Sequence, residues 1–206
     1  MDEMRFRRIS AAVEGSVDAV VARRLIMEAG SIPGPVYGEK GKLFLRDKLM
    51  AYNQAARLSP WLIMVDLDHD EQCAAALRRS WVPYQAPWMC FRVAVRQVES
   101  WLLADRERLS AFLHVAIAEV PLHPDTLDDP KRVLVKLARE SSRRDIKEDM
   151  VPRSGSGRRV GPAYVSRLIE FVSGPAPGWR PTVAARSSDS LNRSLQCLKR
   201  LIEKFP

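Results

Sequence analysis

The run Trp61-Leu62-Ile63-Met64-Val65 constrains this chain more than any other segment. It follows Pro60, is apolar at every position, and ends abruptly in Asp66-Leu67-Asp68-His69-Asp70. A strand with no polar alternation is buried on both faces, which is the pattern of a parallel sheet covered by helices. The flanking segments agree. Residues 4–13 end in small and β-branched side chains and run into Glu14-Gly15, predicting a strand that delivers a carboxylate to a turn. Ser16 is the expected cap of a helix over 17–29, with Val17, Val20, Val21, Leu25 and Ile26 on one stripe and Gly30 as its stop. Pro33 to Tyr37 reads as a short strand, Gly38 to Lys42 as a loop, and 43–57 as a second helix. A third helix is expected over 71–80, then a strand from Met89 to Val95 leading into a helix that holds Glu99 and Trp101. Strands alternating with helices predict an α/β fold with a mostly parallel sheet flanked by helices.

Beyond residue 105 the pattern changes. Helical spacing recurs over 107–113, 130–142, 163–173 and 188–204, separated by Pro/Asp-rich (121–130) and Pro/Ser/Gly-rich (152–162, 174–181) connections. The expected organisation is an α/β metal-site domain over 1–105 and a basic, helical, loop-rich C-terminal extension over 106–206 packed on it. A chain of 206 residues is long enough to bury a core. Its longest apolar run is far below the ~20 residues that cross a bilayer, so no membrane partner is expected. The N-terminus, Met1-Asp2-Glu3-Met4-Arg5, carries acid where a secretory signal carries base, and a cytoplasmic location is expected. Cys73, Cys90 and Cys197 are odd in number and set among apolar residues, which predicts reduced, buried thiols.

The formal charge is +8, but it is unevenly spread. Residues 1–105 carry 14 basic and 13 acidic side chains, and 106–206 carry 19 and 12. The acids able to do chemistry therefore sit in the nearly neutral half. In open α/β sheets functional groups gather outside the carboxyl ends of the strands. Here Glu14 follows the first strand, and Asp66 and Asp68 follow the third. In extended chain a D-x-D spacing puts both carboxylates on one side. Converging carboxylates hold Mg²⁺ or Mn²⁺ against a phosphate. Asp18, four residues after Glu14, begins the first helix and can return to the same strand end; Glu99 can add a fifth carboxylate. The competing reading makes Asp68 and Asp70 caps of the next helix and Glu14 a turn residue. The acidic run is not an EF-hand, since Gln72 and Leu77 stand where ligands belong.

Glu14-Gly15-x-x-Asp18 after a strand, followed by Val65-Asp66-Leu67-Asp68, resembles the TOPRIM domain of topoisomerases, primases and recombination proteins. The E-x-x-x-D variant is more particularly similar to the overcoming-lysogenization-defect (OLD) nucleases, and the whole chain to small stand-alone TOPRIM-like proteins of bacteria. Two further segments extend the resemblance: Arg96 to Asp105, with its E-x-W-hydrophobic-x-A-D element, and Trp179 to Arg186 followed by Ser188 and Ser190-Leu191. The resemblance implies that Glu14, Asp66 and Asp68 are catalytic, and that Glu14, Asp18, Asp66, Asp68 and Glu99 hold a divalent metal or support its ligands. It also implies a lysine beyond the sheet, for which Lys131, Lys136 and Lys147 all qualify.

Arg143, Arg144, Lys147, Arg153, Arg158 and Arg159 crowd a Ser/Gly-containing stretch, a composition suited to following a phosphate backbone. The alternative is a wet loop interleaved with Glu140, Asp145, Glu148 and Asp149. Gly38-Glu39-Lys40-Gly41-Lys42 is not a Walker A loop, because Val36 stands where its first glycine belongs and Leu43 replaces the metal-binding hydroxyl. Lys42 then reads as a solvated turn lysine, or by the resemblance as a residue near the site. His69, His114 and His123 lack zinc-hydrolase spacing, and no nucleophile elbow is present. Trp88 and Trp101 read as core.

The expected function is a Mg²⁺- or Mn²⁺-dependent nuclease acting on DNA or RNA, which the resemblance places in phage defence. One alternative is a catalytically silent subunit that acts only with a partner ATPase. Another is a nucleic-acid-binding module whose acids are structural. A homo-oligomer is compatible with each.

Overall fold

The computed structural model describes residues 8–175 and 178–205. The chain divides into two compact units, residues 1–94 with 192–206, and residues 95–191. By this division residues 95–105 fall in the second unit, and most of the last helix falls in the first.

The first unit is built on four strands, β1 (Arg8–Val13), β2 (Ile32–Gly38), β3 (Trp61–Asp66) and β4 (Met89–Ala94), all parallel and in the order β2-β1-β3-β4. The apolar run of β3 is buried from Trp61 through Val65, as a strand interior to a covered sheet must be. It lies between β1 and β4, pairing Ala11 with Leu62 and Leu62 with Cys90. Pro33 and Pro35 are tolerated because β2 is an edge strand, where a missing N–H leaves no neighbour unpaired. The α/β fold with a parallel sheet flanked by helices is therefore as the sequence predicts.

Helix α1 (Ser16–Glu28) buries Val17, Val21, Leu25 and Ile26 and ends at Gly30, whose φ of +90° favours glycine. Its N-cap is Gly15, with no side-chain cap bond, so Ser16 does not cap it. Helix α2 (Lys42–Ala55) buries only Leu45 and Leu49. Tyr37, Tyr52 and Trp61 form an aromatic cluster, each of the first two rings 5.4 Å from Trp61. Helix α3 (Ala74–Trp81) starts three residues later than expected, because the acidic run before it forms a turn of its own. Helix α10 (Asp189–Lys204) returns to β4: Cys197 is disulfide-bonded to Cys90, with a Cα separation of 6.1 Å, and Phe205 packs edge-on against Trp88 at 5.0 Å. These two cysteines are thus paired rather than reduced, and Cys73 is exposed rather than buried. Spacing in the sequence carries no information about which strand and helix meet.

The second unit contains α4 (Val98–Leu103), α5 (Arg106–Leu113), α6 (Pro130–Glu140), α7 (Arg144–Met150), α8 (Tyr164–Ser173), α9 (Pro181–Ala184) and the start of α10. Pattern reading misses α7 and α9, which are too short for a full helical stripe. The centre is α4, buried at all six positions. Trp101 donates its indole N–H to Ser190 at 2.7 Å, and its carbonyl accepts from the Trp179 indole at 3.1 Å. Asp105, 1% exposed, caps α5 and accepts three hydrogen bonds from Arg180: from the backbone N–H at 2.9 Å, from Nε at 3.0 Å and from Nη2 at 2.7 Å. Ser188 and Ser190 are anchored to Asp125 at 2.7 and 3.1 Å. Among the described residues no helix is long and apolar enough to cross a membrane.

A buried carboxylate stripped of its partner leaves an uncompensated charge, a loss of several kcal/mol. Arg180→Ala is expected to destabilise the chain by about 3 kcal/mol, read as a lower urea midpoint, and Arg180→Lys to recover only part of it because the bidentate fork is lost. An unchanged midpoint in Arg180→Ala would show that Asp105 does not need this partner.

Candidate functional site

Parallel pairing of β1 with β3 puts their carboxyl ends side by side. The chain leaves β1 at Val13, and Glu14 follows with its Oε1 accepting the Asp66 backbone N–H at 2.8 Å. Asp66 is the last residue of β3. A carboxylate from one strand thus bonds the backbone at the end of its neighbour. The loop after β2 holds Glu14 from the other side: Glu39 N–H donates to the Val13 carbonyl at 3.1 Å and Gly41 N–H to the Glu14 carbonyl at 2.9 Å. Gly38 has φ +97°, and a Cβ there would collide with the Val13 carbonyl, so the loop can approach β1 this closely only with glycine.

Asp18 is buried in the first turn of α1, its Oδ2 lying against Gly15. A carboxylate there is favoured by the helix N-terminus. Asp68 differs from the expectation. Extended geometry stops at Asp66; Leu67 N–H still reaches the Ala94 carbonyl at 2.9 Å, but Asp68 takes φ +48° and Asp70 N–H closes a turn onto Leu67. The period-two alternation that would put Asp66 and Asp68 on one side therefore breaks at the second aspartate. Asp68 and Asp70 do not cap α3 either, whose N-cap is Cys73. Both instead accept from Lys42 at the first turn of α2, Nζ lying 2.7 Å from Asp68 Oδ2 and 2.8 Å from Asp70 Oδ2.

Lys42 is thus a member of the site rather than a solvated turn lysine, its side chain only 17% exposed. Desolvation pulls its ammonium down, but the hydrogen bonds to Asp68 and Asp70 outweigh this and its pKa is raised. Burial lifts the Glu14 carboxyl from 4.5 to about 7; the Asp66 N–H and the charge of Lys42 pull it down, and Asp68 and Asp70 push it up. Lys42 and Asp70 escape a motif search because each is defined by its partner. Their signal is the third acid of the D-x-D-x-D run, a density of negative charge that calls for a cation.

Glu99 belongs to the second unit, where it is 3% exposed. Its Oε1 accepts from Tyr164 Oη and faces Lys131 Nζ, each at 3.3 Å, while its Oε2 has no hydrogen-bond partner among the described residues. Desolvation, then the charge of Glu99, holds the Tyr164 hydroxyl well above its ordinary pKa. Of the three lysines that the resemblance leaves open, Lys131 is the one that meets Glu99.

The basic set divides. Arg143 pairs with Asp145 at 2.5 Å, Arg144 with Glu148 at 2.6 Å and Arg159 with Asp129 at 2.6 Å. Lys147, Arg153 and Arg158 make no ion pair among the described residues, and the last two line an open cavity of about 410 Å³ with Ser156.

Among the described residues no three His, Cys, Asp or Glu side chains are grouped closely enough to hold a metal ion. The donor chemistry of the first unit nonetheless suits Mg²⁺ or Mn²⁺: Glu14, Asp18, Asp66 and Asp68 are all hard oxygen donors, and two carboxylates of the cluster already hold a cation, the Lys42 ammonium.

Because the folded-state pKa of Glu14 lies above its unfolded value, the folded chain keeps a proton that the unfolded chain releases between pH 4.5 and about 7. Stability therefore falls as pH rises through that window, and the full penalty stands above it. In chelator, Glu14→Gln is expected to be about 1–3 kcal/mol more stable than the native chain at pH 8 and equal to it near pH 4, by urea titration. Equal stability at both pH values would show that Glu14 is not desolvated. Compared with known proteins, the chain matches no family model, no curated protein and no solved structure.

Proposed function

We propose that this chain is a divalent-metal-dependent nuclease that cleaves phosphodiester bonds of DNA or RNA in the cytoplasm, with Mg²⁺ or Mn²⁺ as its cofactor. The observation that carries the reading is the junction of β1 and β3, where Glu14 bonds the end of the neighbouring strand beside the Asp68–Lys42–Asp70 bridge. The resemblance of Glu14, Asp18, Asp66 and Asp68 to the acidic motifs of TOPRIM nucleases supports it.

Glu14, Asp18, Asp66 and Asp68 are the residues that would hold the metal. When bound, the ion supplies Lewis acidity toward a phosphoryl oxygen and lowers the pKa of water. The chain's own groups do the rest. Glu14 would serve in its ionised form: burial holds its carboxyl at about 7 in the metal-free chain, and a cation bound there favours the carboxylate. The Asp66 N–H fixes which Glu14 oxygen points toward β3. Lys42 offers a positive charge to a phosphate oxygen, at the cost of its bonds to Asp68 and Asp70.

Those same bonds favour a second reading, in which the chain is silent until a partner ATPase draws Lys42 away from the acids. The two readings separate in one assay. Purified chain is incubated with single- and double-stranded DNA and RNA in Mg²⁺, Mn²⁺ or chelator. Divalent-dependent cleavage is expected, falling by about 100-fold or more in Glu14→Ala and in Asp66→Ala. Unaltered cleavage in both variants would overturn the site. Cleavage that arises only when an ATPase is added would support the silent subunit.

A further inference from the structure

Helix α2 carries Lys42 in its first turn, and the rest of that helix walls a second feature of the first unit. An open cavity of about 440 Å³ lies between α2 and the end of α3 with the loop that follows it. Its volume is within the ~300–1,000 Å³ range of small-molecule sites. Two arginines, Arg46 and Arg57, line it, together with Trp81 and Tyr84, and no carboxylate does.

The aromatic wall is held in place. The Arg46 guanidinium lies over the Trp81 ring, 5.6 Å from its centroid. Asn53 staples the loop to α2, donating to the Tyr84 carbonyl at 2.8 Å and accepting from Ala86 N–H at 2.8 Å. Gln85 ties the loop further, bonding the Met89 carbonyl at 2.6 Å and accepting from Arg78 at 3.1 Å. Yet Tyr84 is 87% exposed, and Met50, which also lines the cavity, 77%. An aromatic side chain presented to water on a backbone tied at Tyr84 and Ala86 is open to stacking by a base.

We infer that this groove binds a single-stranded nucleic-acid segment, one base stacking on Tyr84 and the phosphates running along Arg46 and Arg57. Three features select that ligand. The lining offers positive charge without any acid, which suits a polyanion. An exposed π-face accepts an unstacked base, whereas the bases of a duplex are already stacked. Arg46 is one helical turn after Lys42, so it shares that residue's side of α2. Arg46 lies in the second turn of α2 and Arg57 two residues past its end at Ala55, so the two bracket the stretch of helix that walls the groove. The inference rests on the nuclease reading only in identifying this strand as the substrate; the binding itself requires no metal.

The test uses the whole chain in chelator, with fluorescence anisotropy of labelled oligothymidylate and oligouridylate against a duplex of the same length. Single strands are expected to bind more tightly than duplex. Tyr84→Ala is expected to weaken single-strand binding about tenfold with the salt dependence unchanged, and Tyr84→Phe to retain it. Arg46→Ala with Arg57→Ala is expected to lower the slope of log K against log salt by about 1.4, near 0.7 for each phosphate no longer neutralised. Thermal melts confirm that each variant is folded. Wild-type affinity in both Tyr84→Ala and the double arginine variant overturns the groove, as does tighter binding of duplex. Loss of binding in these variants, even where the native chain cleaves nothing, upholds the groove and sinks only the nuclease reading. Metal-dependent cleavage with unchanged KM in the same variants does the reverse.

Discussion

Parallel pairing of β1 with β3 is the constraint from which the candidate site follows. Two parallel neighbours end at the same edge of a sheet, so a residue that follows one strand meets the end of the other without any long loop to position it. Glu14 and Asp66 meet in this way, through the Asp66 N–H. The side chains of β3 alternate between the two faces of the sheet, and cover on both faces buries all five from Trp61 to Val65. The same strand delivers Asp66 to the sheet's carboxyl edge, so the run that supplies packing energy also positions an acid of the site.

Much of this is legible in the sequence because it depends on local pattern. The uninterrupted run of β3, the stripe of α1 and the stop at Gly30 each arise from one periodicity or one backbone preference. What is not legible depends on partners distant in the chain. Lys42 and Asp70 look like ordinary surface residues until the turn at Asp68 brings the acids back to α2, 26 residues away from Lys42 at the nearer contact. The D-x-D spacing reads as extended chain, but the left-handed turn at Asp68 obeys the needs of that contact instead. Cys90 and Cys197 are separated by 107 residues, and nothing local to either announces the other.

The two segments that strengthen the resemblance in the sequence have a structural explanation in the second unit. Trp101, Asp105, Trp179, Arg180, Ser188 and Ser190 are joined by hydrogen bonds around α4, most of them buried. Polar groups taken out of water must each find a partner, and the indole, hydroxyl, carboxylate and guanidinium here satisfy one another. Residue types this specific at fixed spacing are what such a network demands. Glu99 differs in kind: it sits in the same buried helix with one oxygen unpartnered among the described residues.

The second unit interrupts the first, since Val95 to Leu191 is spelled out between β4 and the body of α10. On a ribosome this order becomes a schedule. The four strands emerge early, but the residues that meet β4 and its approach, Ser194 on Arg92, Cys197 on Cys90 and Phe205 on Trp88, are made only after the whole inserted unit. Until then a parallel sheet, intrinsically slow to assemble, has part of its covering missing. That surface stays uncovered for the time it takes to synthesise nearly a hundred residues, an exposure set by the order of the segments and not by their composition.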